Sequence, residues 1–204
     1  MENTEKEIAL QLLKIKAIKL SPNAPFTWAS GLLSPIYCDN RKTLSYPDIR
    51  NFIKKQFARL IKEKYPDVEV IAGVATGAIA HGAIVADLLE KPFVYIRSAP
   101  KGHGLENLIE GDLNPEQKVV VIEDLISTGG SSLKAVEAVK NAGATVLGMV
   151  AIFTYGFQTA SNNFASANVE LTTLSNYKTL LEVASETGYI SKNDIKTLEE
   201  WSIS

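Results

Sequence analysis

Two adjacent carboxylates and the run of small residues behind them are the part of this sequence best suited to chemistry. Glu123 and Asp124 follow four β-branched residues, and the small residues 127–131 come shortly after them. A glycine-rich turn that opens a helix can present backbone N–H groups, hydroxyls and the helix dipole to an anion. Two carboxylates would repel a bare phosphate, but they can accept hydrogen bonds from the vicinal hydroxyls of a ribose. This order of residues predicts a site for a sugar that carries a 5'-phosphate.

A strand must precede this pair and a helix must follow the small residues. Residues 119–122 are typical of a strand buried on both faces, and residues 131–142 have a helical apolar pattern. Further strands are predicted at 68–72, 93–96, 146–153 and 171–174, with a helix at 78–89. Strands that alternate with helices at these spacings predict an α/β fold with a central parallel sheet flanked by helices. Ligands bind beyond the carboxyl ends of the strands in such sheets, which is where the acidic pair should lie.

The rest of the chain is predicted as helices and a short strand pair. A capping box at residues 4–7 predicts a helix that runs to Leu20, and residues 26–41 predict two short strands around a glycine turn. Helices are also predicted from Pro47 to Tyr65, over 177–187, and from Ser191 onward. No repeat or linker divides the chain, so we expect one domain over residues 1–204.

Composition excludes several classes of protein. A net charge of -2 over 204 residues gives no support for a nucleic-acid-binding surface. The longest apolar run, around 146–153, is too short to span a membrane, and the acidic start is unlike a signal peptide. Cys38 is the only cysteine, which excludes an intrachain disulfide and predicts a cytoplasmic protein. With two histidines and no ligand spacing, we expect no dedicated transition-metal site.

Two further loops are candidates for contact with a ligand. The polar loop at 97–107 carries Arg97, Lys101 and His103, which suits a lid that closes over a pyrophosphate group. A solvated loop without function is the alternative. The turn 73–78 could present amides to an anion, although tight packing explains its glycines equally well. His81, on the helix after this turn, is predicted to be a helical histidine whose hydrogen bonds are satisfied within the protein, without a ligand role.

At three points the sequence resembles the orotate phosphoribosyltransferase family, a branch of the type I phosphoribosyltransferases. The order apolar-Glu-Asp-x-x-Ser-Thr-Gly-Gly-Ser at 122–131 is similar to the family's signature for phosphoribosyl diphosphate (PRPP). Arg-x-x-x-Lys-x-His-Gly at 97–104 resembles its catalytic loop. Phe-Thr-x-x-Ser-Gly-x-x-Ser-Pro-Ile-Tyr at 26–37 resembles a small hood that covers the base. The three occur in family order over nearly the whole chain.

The resemblance implies a fold and an activity. It implies the type I phosphoribosyltransferase fold, with an N-terminal helix and hood at about 1–45 and a PRPP-binding core at about 66–175. The implied reaction transfers the phosphoribosyl group of PRPP to orotate, giving orotidine 5'-monophosphate and pyrophosphate in pyrimidine synthesis. Mg²⁺ is the implied cofactor, held mainly by PRPP and water. The resemblance further implies a homodimer in which the charged loop reaches the neighbouring active site.

The same resemblance assigns roles to individual residues. It implies catalytic roles for Lys101, His103 and Asp124. It implies PRPP contacts from Arg97, Lys101, His103, Glu123, Asp124, Leu125, Ile126, Ser127, Thr128, Gly129, Gly130 and Ser131. It implies orotate contacts from Phe26, Thr27, Ser30 and Ser127. The chain departs from the family pattern at 28–29 (Trp28-Ala29), at Ser98 and over 153–156, where the family often has cations. Hood amides and Ser127 are therefore expected to hold the orotate carboxylate.

Two other functions share parts of this pattern. A purine-base phosphoribosyltransferase would have the same PRPP motif, but the hood at 26–37 disfavours it. A non-catalytic regulator that senses PRPP could use the same fold. The charged loop and the lack of a helix-turn-helix extension disfavour that second alternative.

Overall fold

The computed structural model describes residues 2–27, 31, 33–99 and 108–203. Ten strands are present in these ranges. The first four are short and belong to the N-terminal part: β1 (Ile18–Leu20), β2 (Phe26–Thr27), β3 (Leu33–Ser34) and β4 (Ile36–Cys38). The others form one sheet: β5 (Val70–Val74), β6 (Phe93–Ile96), β7 (Ile109–Glu110), β8 (Lys118–Ile126), β9 (Thr145–Thr154) and β10 (Leu171–Asn176).

The six-stranded sheet confirms the predicted fold class. Its strand order is β10-β9-β8-β5-β6-β7, and every neighbouring pair is parallel except β6 with the short strand β7. The long strand β8 therefore lies near the middle, between β5 and β9. This position buries both of its faces, as its run of β-branched residues predicted.

Helices cover both faces of the sheet. They are α1 (Glu2–Lys14), α2 (Pro47–Lys64), α3 (Ile79–Leu89), α4 (Gly130–Asn141), α5 (Gln158–Ser166), α6 (Tyr177–Glu186) and α7 (Lys192–Ile203), with a 3₁₀-helix at Asn40–Ser45. One buried cluster joins α1, α2, α3, α6 and α7 to the sheet, and a second joins α4 and α5 to its other face. In the described part of the chain, no helix has the length and apolarity needed to cross a membrane.

The pleat of β8 decides where the acidic pair points. Val120 and Ile122 belong to the cluster under α2 and α3, whereas Val119 and Val121 belong to the cluster under α4. Successive side chains of a strand leave opposite faces of the sheet. Strand β8 continues to Ile126, beyond the predicted end at residue 122, so the acidic pair lies within the strand and its two carboxylates leave opposite faces.

The N-terminal helix is shorter than predicted. Helix α1 ends at Lys14, and the apolar residues Ile18 and Leu20 form β1, which pairs antiparallel with β4. Apolar residues at these positions satisfy a helical period and a short strand alike, and only the distant partner β4 distinguishes the two. The predicted capping box was also wrong, since residues 4–7 lie inside a helix that begins at Glu2.

Candidate active site

Asp124 lies against the turn that joins β5 to α3. A Cβ atom added to Gly77 would lie 2.5 Å from both carboxylate oxygens of Asp124, so the carboxylate packs directly on the glycine backbone. The main-chain oxygen of Asp124 accepts a hydrogen bond of 2.6 Å from the Asn40 side chain. The turn and the acidic pair, which the sequence treated as separate candidates, therefore form one site.

Glu123 points to the opposite face and is held beneath α4. Its side chain is only 6% exposed. One carboxylate oxygen accepts a hydrogen bond of 2.9 Å from the Ser132 hydroxyl, and the other accepts one of 3.0 Å from the Asp124 N–H. Burial, and secondarily the charge of Asp124, raises the pKa of Glu123 to about 8. Near neutral pH, Glu123 is therefore mostly protonated in the ligand-free protein.

The small residues after β8 form a bend that opens α4. Gly129 has a φ of +81°, which favours glycine, and a Cβ there would lie 2.7 Å from the Phe164 ring of α5. The Asn163 side chain, also on α5, donates a hydrogen bond of 2.9 Å to the Thr128 carbonyl. Gly129 supplies no side-chain cap to α4. The first N–H groups of this helix thus remain suited to an anionic ligand.

The N-terminal strands form a cover next to this site. Strands β2 and β3 pair antiparallel, and the rings of Phe26 and Tyr37 lie 5.8 Å apart. Tyr37 is 41% exposed, so part of this aromatic pair is open to solvent. Arg41, in the 3₁₀-helix, pairs with Asp39 at 2.7 Å. The segment 26–37 that resembles the family's hood thus forms one region with β1 and the 3₁₀-helix, and from here on the hood means this whole region, residues 18–45.

Comparison with known proteins identifies the family. The family model described as phosphoribosyl transferase domain matches residues 44–169. The orotate phosphoribosyltransferase of Porphyromonas gingivalis is 64% identical over 201 residues, which cover 98% of this chain and 96% of that protein. The chain belongs to the orotate phosphoribosyltransferase family.

Solved structures agree with this family assignment. The crystal structure of the orotate phosphoribosyltransferase from Aeropyrum pernix superposes with a TM-score of 0.78 at 29% identity, covering 90% of this chain and 99% of that one. The Mycobacterium tuberculosis orotate phosphoribosyltransferase in complex with PRPP has a TM-score of 0.67 at 22% identity, covering 87% and 98%. At that identity the second comparison shows the fold alone.

Some of the predicted site residues lie in the described part of the chain, and others do not. Leu125 and Ile126 end β8, and the small residues 127–131 form the bend and first turn of α4. Phe26 and Thr27 form β2. Lys101, His103 and Ser30 lie outside the described residues, as do Trp28 and Ala29.

Arg97 lies at the base of the charged loop, directly after β6. Its N–H donates a hydrogen bond of 2.8 Å to the Leu108 carbonyl, and its guanidinium lies 3.4 Å from Glu110. A carboxylate partner reduces the charge that Arg97 can offer to a polyanion, so a role in pyrophosphate binding requires competition with Glu110. That role stays a prediction.

Two residues of the candidate site were not predicted from the sequence. Asn40 and Ser132 bond to the acidic pair. Gly77 belongs to the predicted turn 73–78, but its support of the Asp124 carboxylate was not predicted. The Asn40 bond joins residues 84 positions apart, so no local pattern could indicate it. Described residues contain no cluster of three or more histidine, cysteine or acidic side chains arranged to hold a metal ion.

Replacing Glu123 with glutamine should stabilise the ligand-free protein relative to the wild type, and this gain in unfolding free energy should grow as the pH rises. Between the usual carboxyl pKa of 4.5 and about 8, the unfolded chain loses a proton that folded Glu123 keeps. The folded state of the wild type therefore loses stability over that window, and the glutamine variant does not. We expect the stability difference in favour of Glu123→Gln to grow by roughly 2–4 kcal/mol from about pH 5 to about pH 8. Urea unfolding of both proteins without ligands, at several pH values, measures this difference. A difference that does not change with pH would contradict the raised pKa of Glu123.

Replacing Gly77 with alanine should lower kcat/KM for PRPP strongly and the stability of the fold only slightly. The new Cβ would occupy the place of the Asp124 carboxylate, which must rotate away. Because small misplacements of reacting groups are costly, we expect kcat/KM for PRPP to fall roughly 10–100-fold. Gly148→Ala is the matched control, since its Cβ would collide with the Tyr65 side chain between β9 and α2. The control should lower stability and leave kcat/KM unchanged; equal kinetic losses would contradict the prediction.

Proposed function

We propose that this orotate phosphoribosyltransferase transfers the phosphoribosyl group of PRPP to orotate with the residues assigned above. The reaction is reversible and gives orotidine 5'-monophosphate and pyrophosphate. The observation that carries the residue assignment is the position of the acidic pair, immediately ahead of the uncapped N-terminus of α4 at the carboxyl end of β8. A sugar hydroxyl site and a phosphate site then lie side by side, as the substrate requires.

The acidic pair binds the ribose hydroxyls, and the bend after β8 binds the 5'-phosphate. Asp124, half-buried against Gly77, accepts hydrogen bonds from the ribose hydroxyls. Glu123 also accepts a hydrogen bond from the ribose hydroxyls. To do so, its carboxylate either gives up the hydrogen bond from the Ser132 hydroxyl or accepts both bonds at once. The N–H groups and hydroxyls of residues 127–131 hold the 5'-phosphate, and the positive end of the α4 dipole favours its charge.

The chemical step breaks the bond between C1' of ribose and the pyrophosphate oxygen while N1 of orotate bonds to C1'. Positive charge develops on the ribose ring, and the carboxylate of Asp124 stabilises it. Negative charge develops on the departing pyrophosphate, which Arg97, Lys101 and His103 neutralise. Lys101 or His103 donates a proton to that leaving group. N1 of orotate loses its proton to solvent as it bonds to C1', and solvent reprotonates the donor, so one proton passes overall from orotate to pyrophosphate.

Two further groups need a place in the site, the orotate base and the Mg²⁺ ion. Phe26, Thr27 and Ser30 of the hood, together with Ser127, contact orotate, and the Phe26–Tyr37 pair offers a ring face to it. Mg²⁺ would be held mainly by the diphosphate and ribose oxygens of PRPP and by water, because it prefers oxygen ligands and dehydrates reluctantly. The ion offsets the charge of the diphosphate when it is bound.

We also propose how the molecule is organised in the cell. The chain acts as one domain, with the helix and hood at about 1–45 and the PRPP-binding core at about 66–175. Two copies form a homodimer that shares the loop of Arg97, Lys101 and His103, and the enzyme works in the cytoplasm without nucleic-acid or membrane partners.

Release of pyrophosphate from PRPP and Mg²⁺ tests the assignment. With orotate we expect steady pyrophosphate release, and with uracil or purine bases little or none. Release that is faster with adenine, guanine or hypoxanthine would favour the purine-base alternative. PRPP binding without release in the presence of any base would favour the regulator.

A further inference from the structure

We propose that Asn40 is a positioning residue, whose buried side chain fixes the backbone of Asp124 and joins the hood to the acidic pair. Asn40 opens the 3₁₀-helix that follows β4 and is 0% exposed. Its amide donates a hydrogen bond of 2.6 Å to the main-chain oxygen of Asp124. The inference rests on the proposed role of Asp124 in ribose binding.

The unequal lengths of the strands around β8 show why this contact matters. Strand β5 pairs with β8 only as far as Gly73 beside Ile122, whereas β9 continues to pair with β8 as far as Ile126. Within the sheet, the last residues of β8 are therefore held by β9 alone. The bond from Asn40 adds a second, long-range link to this segment at Asp124.

A network of buried polar groups holds Asn40 itself. The Thr43 hydroxyl donates a hydrogen bond of 2.6 Å to the Asn40 carbonyl and lies 3.3 Å from Nε2 of His81. A hydroxyl has one proton, and Thr43 uses it on a carbonyl that can only accept. Thr43 must therefore accept from His81, which places the imidazole proton on Nε2. Burial lowers the pKa of His81, in agreement with this neutral form. Its buried Nδ1 has no hydrogen-bond partner among the described residues, so the predicted satisfaction of the ring holds for Nε2 alone.

The network connects three elements that surround the reacting sugar. Thr43 and Asn40 belong to the 3₁₀-helix of the hood, His81 to α3, and Asp124 to β8. Asp124 is thereby fixed from two sides, by Gly77 under its carboxylate and by Asn40 at its carbonyl. Because the hood covers the base in the proposed function, the same bond links the base site to the ribose site.

Two variants of Asn40 test the role. Asn40→Asp keeps the shape but replaces the donor with an oxygen, and Asn40→Leu removes the polar group. We expect kcat/KM for PRPP to fall about 10-fold in both, which corresponds to about 1.4 kcal/mol. Ser175→Ala is the matched control, because the Ser175 hydroxyl, also 0% exposed, donates a hydrogen bond of 2.9 Å to the Glu5 carbonyl of α1, and β9 separates its strand β10 from β8.

Comparing the Asn40 variants with Ser175→Ala separates an effect on the position of Asp124 from a general loss of stability. All three variants should unfold more easily, but Ser175→Ala should keep the kcat and the KM for PRPP of the wild type. If the Asn40 variants, corrected for their folded fraction, match Ser175→Ala in both constants, the inference is overturned. If the wild type releases pyrophosphate with orotate and only the Asn40 result fails, the proposed function stands without it.

A double-mutant cycle examines whether Asn40 acts through Asp124. In an Asp124→Asn background, Asn40→Leu should cause clearly less than its single-variant loss of kcat/KM, because the carboxylate it positions is already gone. Fully additive losses would overturn the inference. If the Asn40 variants do not fold, Thr43→Val and Thr43→Ser replace them. The valine should reduce kcat/KM for PRPP and the serine should restore it; equal values for the two would overturn the proposal.

Discussion

A Lys101→Ala variant is expected to turn over roughly 10²–10³-fold more slowly than the wild type while its fold is unchanged. Lys101 is assigned to the charge that develops on pyrophosphate as its bond to C1' breaks. A contact made only in the transition state lowers kcat and kcat/KM together, and leaves the KM for PRPP nearly constant. Single-turnover measurements with orotate and Mg²⁺ report the chemical step directly.

Lys91→Ala is the matched control for this variant, because Lys91 is an exposed lysine of the same charge just before β6. It should keep wild-type kinetics. Near-normal turnover of Lys101→Ala would remove the charged loop from the mechanism. A loss confined to the KM for PRPP would assign Lys101 to substrate binding alone.

The same variant tests whether the loop is shared between subunits. Mixing Lys101→Ala chains with Asp124→Asn chains forms hybrids in which one site receives an intact loop and an intact acidic pair. Activity should reappear on mixing, with one working site per hybrid dimer. Mixtures that stay as inactive as their parents, although exchange of subunits is demonstrated, would argue against sharing.

An Asp124→Asn variant is expected to lose kcat/KM for PRPP by roughly 10²–10⁴-fold, since hydrogen bonds to a charged group contribute about 1.5–3 kcal/mol each and two ribose hydroxyls are involved. Asparagine has the shape of aspartate, so the packing on Gly77 and the bond from Asn40 remain. The loss therefore reports the charge and not the fold.

Asp87→Asn provides the control for that substitution, because Asp87 is an exposed aspartate near the end of α3. It should be kinetically silent. Titration of PRPP with Mg²⁺ by calorimetry should show weaker binding to Asp124→Asn in the absence of orotate. Unchanged PRPP affinity together with unchanged kcat would disprove the ribose assignment.

The elements whose signals are local could be predicted from the sequence. Residues 119–122 form part of β8, and α4 starts at Gly130, one position from its expected start. Helix α6 ends before Gly188, which has the positive φ expected of a helix stop. In each case the pattern of apolar residues and the turn chemistry agree with the final structure.

Elements that depend on distant partners could not be predicted. Ile18 and Leu20 fit a helix until β4 pairs with them, and α5 was missed because its polar sequence has few apolar positions. The division of the acidic pair between two faces depends on β8 continuing to Ile126, which its pairing with β9 fixes. The contacts of Asn40 and Gly77 with Asp124 arise only when the hood and the β5–α3 turn meet the sheet.

The junction of β6 and β7 has a practical consequence. Tyr95 pairs with Glu110 and Ile96 with Ile109, and the Arg97 amide bonds to the Leu108 carbonyl. The two ends of the intervening segment are thus clamped together by the sheet edge itself. We therefore expect the pairing of Ile96 with Ile109 to persist when a residue between these two anchors is substituted, so that Lys101→Ala should keep the melting temperature of the wild type.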